Sequence, residues 1–362
     1  MKSLILTLVS LCLSTSCFAK VEKNFFNVET VLDLGEDVIW SIDFLPSNPH
    51  IVVFSERGGK LKYLNSITKK TQAINGVPEV FAAGQGGLLD IAFDKNDDIY
   101  FTYSQKLPKG KNTTALFKGK IDFEKNSLSG KTIFSAKAES SDGYHFGSRI
   151  VLEKDALYIG VGERNDRDKS QDLAYHHGKI LKLTREGKAY HSNPFINQKN
   201  ALPEIYSYGH RNPQGLIKLL NGSLVNSEFG PRGGDELNII LAGKNYGWPV
   251  ITYGKEYWGP KIGTTQQAGM EQPIHYWAPS ISPSGIVEYQ GEIFKEFNGH
   301  IFIANLSGQH LRRVVMKEQK VTEEYEYLND LDERFRDVQV GPEGAIYIST
   351  DSGKILKLTK KK

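Results

Sequence analysis

The heptad GKILKLT stands at Gly178–Thr184 and returns unchanged at Gly353–Thr359, with a near relative, GGKLKYL, at Gly58–Leu64. Each copy follows a short apolar run: Ala156–Val161, Ala345–Ser349 and His50–Phe54 respectively. An apolar run, a Gly-Lys turn and an alternating strand spell an antiparallel meander. A seven-residue identity in the same local context argues for a structural repeat rather than coincidence. Three further runs, Asp98–Tyr103, Ser223–Val225 and His300–Ala304, bring the number to six. They fall roughly 45 to 75 residues apart, the spacing of propeller blades. Gly, Asn and Asp bound them, and no window carries a sustained 3.6-residue period. The chain therefore reads as all-β, with meanders closed into a ring that leaves only short, protected edges. No linker or composition shift divides residues 20–362, which form one expected domain. The aromatics Phe44, Phe93, Tyr100, Tyr158, Phe302 and Tyr347 read as packing within it.

A chain of 362 residues has ample material for a core. Charged residues make up 24% and the formal net charge is +3, a balance that does not point to nucleic acid or a membrane surface as partner. Residues 1–19 have the form of a secretory leader: Lys2, an apolar stretch Leu4–Leu13, and small residues up to Phe18-Ala19. The stretch is too short to span a bilayer. Ser14-Thr15-Ser16-Cys17 resembles a lipid-attachment box without the apolar residue three before the cysteine. The expectation is thus a periplasmic or secreted protein, as monomer or homodimer. Cleavage after Ala19 removes Cys12 and Cys17, so no disulfide can hold the mature chain together.

The chemistry concentrates in Tyr206–Pro249: YSYGHRNPQGL, then EFGPRGGDELNIILAGKNYGWP. So much Gly, Pro, Asn and charge breaks helix and central strand alike, and loops rich in directional polar groups commonly carry sites. Arg211 and Asn212 suit an anion. The carbonyls of Gly230 and Pro231 suit a hard cation, and Glu236 with the carbonyl of Tyr246 suits a second. His145, in GYHFGSRI, reads either as a satisfied structural histidine or as a general base. Glu163, in VGERND, could orient it or be a surface acid. Arg334 and Arg336 alternate, so a strand would turn both guanidiniums to one side, where they repel unless an anion lies between. Gln85 precedes a tight glycine turn and could point into a central cavity. Ser280 is a candidate hydroxyl near a bound cofactor, and Tyr276 and Trp277 could stack on a sugar or pack between blades. Dinucleotide, Walker, zinc and nucleophile-elbow motifs are all absent.

Taken together, GQGGLLDIAFD, HFGSRI, YGHRNPQGL, EFGPRGGDELN, GKNYGWP, APSISPSG and RFRDVQVGPEG resemble, in order, the glucose/sorbosone dehydrogenase family. These are the soluble aldose sugar dehydrogenases that use pyrroloquinoline quinone. The resemblance runs from about Trp40 to the C-terminus. It implies a six-bladed β-propeller of four-stranded antiparallel blades, with the quinone over its central mouth and an external electron acceptor. It further implies His145 as catalytic base with Glu163 as its partner, and Arg211, Asn212, Arg334 and Arg336 on the quinone. Gly230 and Pro231 match the ligands of a calcium ion (Ca2+) against the quinone, Glu236 and Tyr246 those of a structural calcium, and Gln85 a substrate-side amide. Two positions depart from the family. Ser307, in ANLSGQHL, stands where a quinone-contacting lysine is usual, and Tyr144 stands where the glucose enzymes have an acid. Two other readings use the same mouth without quinone: a calcium-dependent sugar-lactone hydrolase, and a glycan- or protein-binding module.

Overall fold

The computed structural model describes residues 19–35 and 37–361; apart from Ala19, the expected leader lies outside them. Among these residues there are strands and four 3-10 turns of three or four residues, and no α-helix. The strands form six antiparallel sheets ranged about one axis, a six-bladed β-propeller. The innermost strands are Ile39–Phe44, Leu88–Phe93, Ile150–Leu152, Pro213–Lys218, Pro283–Glu288 and Phe335–Val340, one for each of blades one to six.

Each of the six apolar runs is the second strand of one blade: Ile51–Glu56, Asp98–Lys106, Ala156–Val161, Leu224–Glu228, Ile301–Asn305 and Ile346–Thr350. They are continuously apolar because both of their faces are covered. Strand side chains alternate, so Leu157, Ile159 and Val161 enter the cluster shared with blade two, whereas Tyr158 enters the cluster shared with blade four. Such a cluster fills each gap between neighbouring blades. Truncating one of these side chains to alanine costs about 2–5 kcal/mol.

The repeated heptad occupies the third strand of blades three and six, Lys179–Thr184 and Lys354–Lys360, and its side chains divide the same way in both. Ile180 and Ile355 face the following blade; Leu181 with Leu183, and Leu356 with Leu358, face the preceding one. In blade one Leu61 and Leu64 repeat that division. The sequence identity is therefore one packing unit used twice. The closure was not foreseen. Phe26–Asp33 pairs antiparallel with Lys354–Lys360, so the N-terminal strand completes the last blade, and Lys20–Val21 adds a parallel edge outside blade five.

Arg149 is the hub. Its guanidinium sits 4.3 Å over the Trp40 ring. NH1 reaches both Asp90 and Asp337 at 2.8 Å, Nε donates to Gln214 O at 2.8 Å, and NH2 donates to Arg336 O at 3.1 Å. Ser41 Oγ donates toward the same two carboxylates. One buried ionic network thus joins the innermost segments of blades one, two, three, four and six. Burial pushes the Asp337 carboxyl up to about 6, with Arg149 pulling against it.

Because first and second strands are antiparallel, the start of one lies beside the end of the other: Ile39 pairs with Glu56, Pro213 with Glu228, and Phe335 with Thr350. The segments entering the innermost strands and those leaving the second strands therefore share one end of the ring. Nearly every candidate site residue comes from these two sets.

Candidate active site

His145 lies in the segment entering blade three, and Glu163 leaves that blade's second strand. His145 Nδ1 and Glu163 Oε1 are hydrogen-bonded. His145 adopts φ +51°, a left-handed backbone uncommon outside glycine. Two contacts hold it there. Gln85 Oε1 accepts the His145 N–H at 2.9 Å. Gly162 leaves room for the His145 carbonyl, into which a Cβ at that position would collide. Burial, and then the charge of Arg211, depress the imidazole pKa against the pull of Glu163. The ring is thus neutral near neutral pH and able to take a proton. Its Nε2 has no hydrogen-bond partner among the described residues.

Arg211 NH1 donates to Gly230 O at 2.8 Å and to Phe229 O at 3.3 Å. Its backbone N–H is fixed by Glu228, which also holds His210; His210 is structural, stacked 4.7 Å from Tyr246. Asn212 Oδ1 accepts from Gly147 N. Three buried polar atoms here have no partner: Arg211 Nε, Asn212 Nδ2 and Glu163 Oε2. Groups of this kind in a native interior are completed by water, an ion or a ligand, and these three stand together around one histidine.

Arg334 and Arg336 do share one side, and an anion does lie between them: the chain's own Asp351. Arg334 Nε donates to it at 2.9 Å, and Arg336 donates through Nε and NH2 at 2.8 and 3.0 Å. Burial would raise the Asp351 pKa, but Arg336 and Arg334 hold it below the usual carboxylate range. The pair and Gln85 line a cavity of about 150 Å³ at the mouth, with Trp40, Gln214 and Phe229. Phe229 connects the two halves of the site, since its carbonyl accepts from Arg211.

Glu236 and Tyr246 meet Glu228 in a small recess behind Gly230. Desolvation, then the charges of Glu228 and Asp235, push the Glu236 carboxyl up to about 8. The Tyr246 hydroxyl is taken by the backbone of Ile239 and Leu241, which leaves its carbonyl as the group available to a cation.

The family model described as Glucose / Sorbosone dehydrogenase matches residues 36–357. The chain belongs to the glucose/sorbosone dehydrogenase family. This dehydrogenase is an oxidoreductase. It is 38% identical over 361 residues to the aldose sugar dehydrogenase YliI of Escherichia coli (strain K12), covering 96% of each chain. It superposes with a TM-score of 0.89 on the crystal structure of the soluble aldose sugar dehydrogenase from Escherichia coli in its apo form, at 38% identity over 93% of this chain and 100% of that one. Against the PQQ-bound form of the aldose sugar dehydrogenase from Streptomyces coelicolor the TM-score is 0.76, at 26% identity over 93% and 98% of the chains. Among the described residues no helix is long and apolar enough to cross a membrane.

Of the residues anticipated for the dehydrogenase site, His145, Glu163 and Gln85 form one bonded group; Arg211 is bonded to Gly230, which Pro231 follows, and Asn212 is bonded to Gly147, two residues from His145. Ser280 stands apart from the arginine cavity. Its hydroxyl donates to Asp235 at 2.7 Å, and it lines a separate groove with Pro231 and Ser307. Trp277 is 5% exposed and donates to Glu324 of blade five at 2.8 Å, so it packs between blades. Tyr276 stacks on Tyr253 with centroids 3.9 Å apart. Sequence reading passed over Asp351, Arg149, Glu228 and buried Arg164, whose guanidinium lies 3.5 Å over the Phe146 ring. Asp351 follows an ordinary IYIST strand with nothing local to mark it.

Proposed function

We propose that the protein is an exported quinoprotein that oxidises the anomeric carbon of aldose sugars to lactones, using pyrroloquinoline quinone and calcium and passing electrons to an external acceptor. The observation that carries this reading is the set of buried, unpartnered atoms Arg211 Nε, Asn212 Nδ2 and Glu163 Oε2 beside His145. Arg211 Nε and Asn212 Nδ2 are donors, which an anionic, carbonyl-rich molecule satisfies, and Glu163 Oε2 is an acceptor, which a sugar hydroxyl satisfies.

The residues fit both groups. Arg211, Asn212, Arg334 and Arg336 would hold the quinone. The carbonyls of Gly230 and Pro231 would hold one calcium; Pro231 O receives no hydrogen bond among the described residues, and a carbonyl already bonded once keeps a second lone pair. Glu236 with the Tyr246 carbonyl would hold the other, in a recess where Glu228 adds a second carboxylate. When bound, the quinone supplies the acceptor for the sugar's hydride and calcium the Lewis acidity that polarises it. His145 takes the anomeric hydroxyl proton at Nε2. Glu163 fixes the tautomer with the proton on Nδ1 and stabilises the imidazolium once it forms. Gln85 keeps the His145 backbone in its strained conformation, and Arg211 presents positive charge to the reacting end of the site.

The test is addition of quinone and calcium to the purified protein, followed by absorption spectra and dye reduction with aldoses. Quinone uptake with sugar-dependent dye reduction is expected. Lactone hydrolysis without quinone, or sugar binding without turnover, overturns the reading.

A further inference from the structure

Beside the mouth, between blades four and five, runs a groove of about 560 Å³ that the chemistry above does not use. That size is within the range of small-molecule sites. Blade four contributes Arg232, Lys255 and Tyr257; the blade-five side contributes Ser280, Ser282 and Ser307; Pro231 joins it to the candidate active site.

Its charge is one-sided. Arg232 and Lys255 are locked side by side by a two-bond bridge, Arg232 N to Lys255 O at 3.0 Å and Lys255 N to Arg232 O at 3.4 Å. Lys261 bridges to Lys255 in turn. None of the three has a carboxylate partner among the described residues. The acid of this strip, Glu256, is committed to Arg167 at 2.7 Å. A cluster of cations without counter-charges makes a positive field that attracts an anion to the groove. Next to them Tyr257, which lines the groove, is 65% exposed. Exposed aromatic faces beside hydroxyl groups suit the alternating apolar and polar surface of a pyranose ring, since such rings present an apolar body with a polar edge.

Resting on the aldose reading above, we infer that this groove is a second saccharide subsite, which takes the non-reducing unit of a disaccharide or longer sugar carrying a carboxylate. The reducing end reaches His145 past Pro231. The distal ring lies against Tyr257, and Arg232 with Lys255 takes the carboxylate. Ser307 belongs to this surface: its hydroxyl meets Ser282 Oγ at 2.7 Å and donates to Ser280 O at 3.3 Å.

Three sugars with the same reducing unit test this: glucose, cellobiose, and cellobiose with its non-reducing glucose oxidised to glucuronate. With the quinone- and calcium-loaded enzyme, kcat/KM for the uronate disaccharide is expected to exceed that for cellobiose about tenfold at low ionic strength, and the margin to shrink in high salt. Arg232→Glu with Lys255→Glu is expected to abolish the margin and leave glucose oxidation unchanged. Equal kcat/KM for the two disaccharides overturns the inference. So does a double variant that slows all three sugars alike, which would assign the cations to the electron acceptor. If no sugar is oxidised, the aldose reading fails by itself. Calorimetric binding of the uronate disaccharide to wild type and double variant then still decides the groove, and equal affinities overturn it.

Discussion

Gln85 Oε1 accepts the backbone N–H of His145 at 2.9 Å, across 60 residues of sequence and a blade boundary. The amide that also lines the mouth cavity therefore holds the proposed base in a backbone conformation that it would otherwise leave. Gln85→Ala is expected to lower kcat about 10- to 100-fold, since a small misplacement of a catalytic group has effects of that size. Quinone titration should remain near wild type. Steady-state kinetics beside quinone titration checks this, and an unchanged kcat would remove Gln85 from any positioning role.

His145→Ala should cut kcat by about two to four orders of magnitude, the contribution typical of a positioned base, with quinone uptake nearly intact. Glu163→Gln should act in the same direction. The pH profile follows from the depressed pKa. The base works deprotonated, and the folded pKa lies below the ordinary 6.5, so activity should persist in mildly acidic buffer and fall only below that value. The same shift acts on stability. The unfolded chain binds this proton more readily, so His145 makes folding less favourable as pH drops through 6.5. A kcat/KM limb rising at or above pH 7 would contradict the assignment.

Asp351→Asn should destabilise the fold on the order of 3 kcal/mol, because it leaves buried Arg336 beside Arg334 without counter-charge. A ligand bearing several carboxylates should restore part of that loss. Urea unfolding of the variant with and without quinone measures both effects. A variant as stable as wild type would mean that solvent already satisfies the two arginines.

Calcium affinity at Glu236 should rise with pH toward about 8, where that carboxyl gives up its proton. In the absence of cation, the folded state holds this proton more tightly than the unfolded chain. The Glu236 contribution to stability therefore declines as pH rises from the ordinary carboxylate range to about 8. Calcium should reverse the decline. Thermal unfolding with calcium or chelator across that window reads it directly, and Glu236→Gln should flatten the difference.

The fold was legible because its signal is local and repeated. A strand buried on both faces must be apolar at every position, which is why Ala156–Val161 and Ile346–Thr350 could be picked out one run at a time. The repeated heptad carried its own packing instructions, since alternation alone sends Ile180 one way and Leu181 the other. The polar mouth was legible in residue type: a base, its acid, an Arg-Asn pair and two alternating arginines. Their partners were not. Asp351 stands 15 residues from Arg336 in an unremarkable strand end, and Arg149 gathers Asp90 and Asp337 from opposite ends of the chain.

From its residues alone, then, the chain determined its class, its number of strand repeats and the chemical types available to a site. Those properties depend on alternation and composition within a few residues. Tertiary structure decided that Phe26–Asp33 closes the last blade, that Gln85 holds the backbone of His145, that Trp277 is packing, and that Arg232 and Lys255 stand together without a counter-charge. Each of these depends on which strand ends the ring brings to a common face. A closed ring sets that by joining segments far apart in sequence, so no local pattern could encode it.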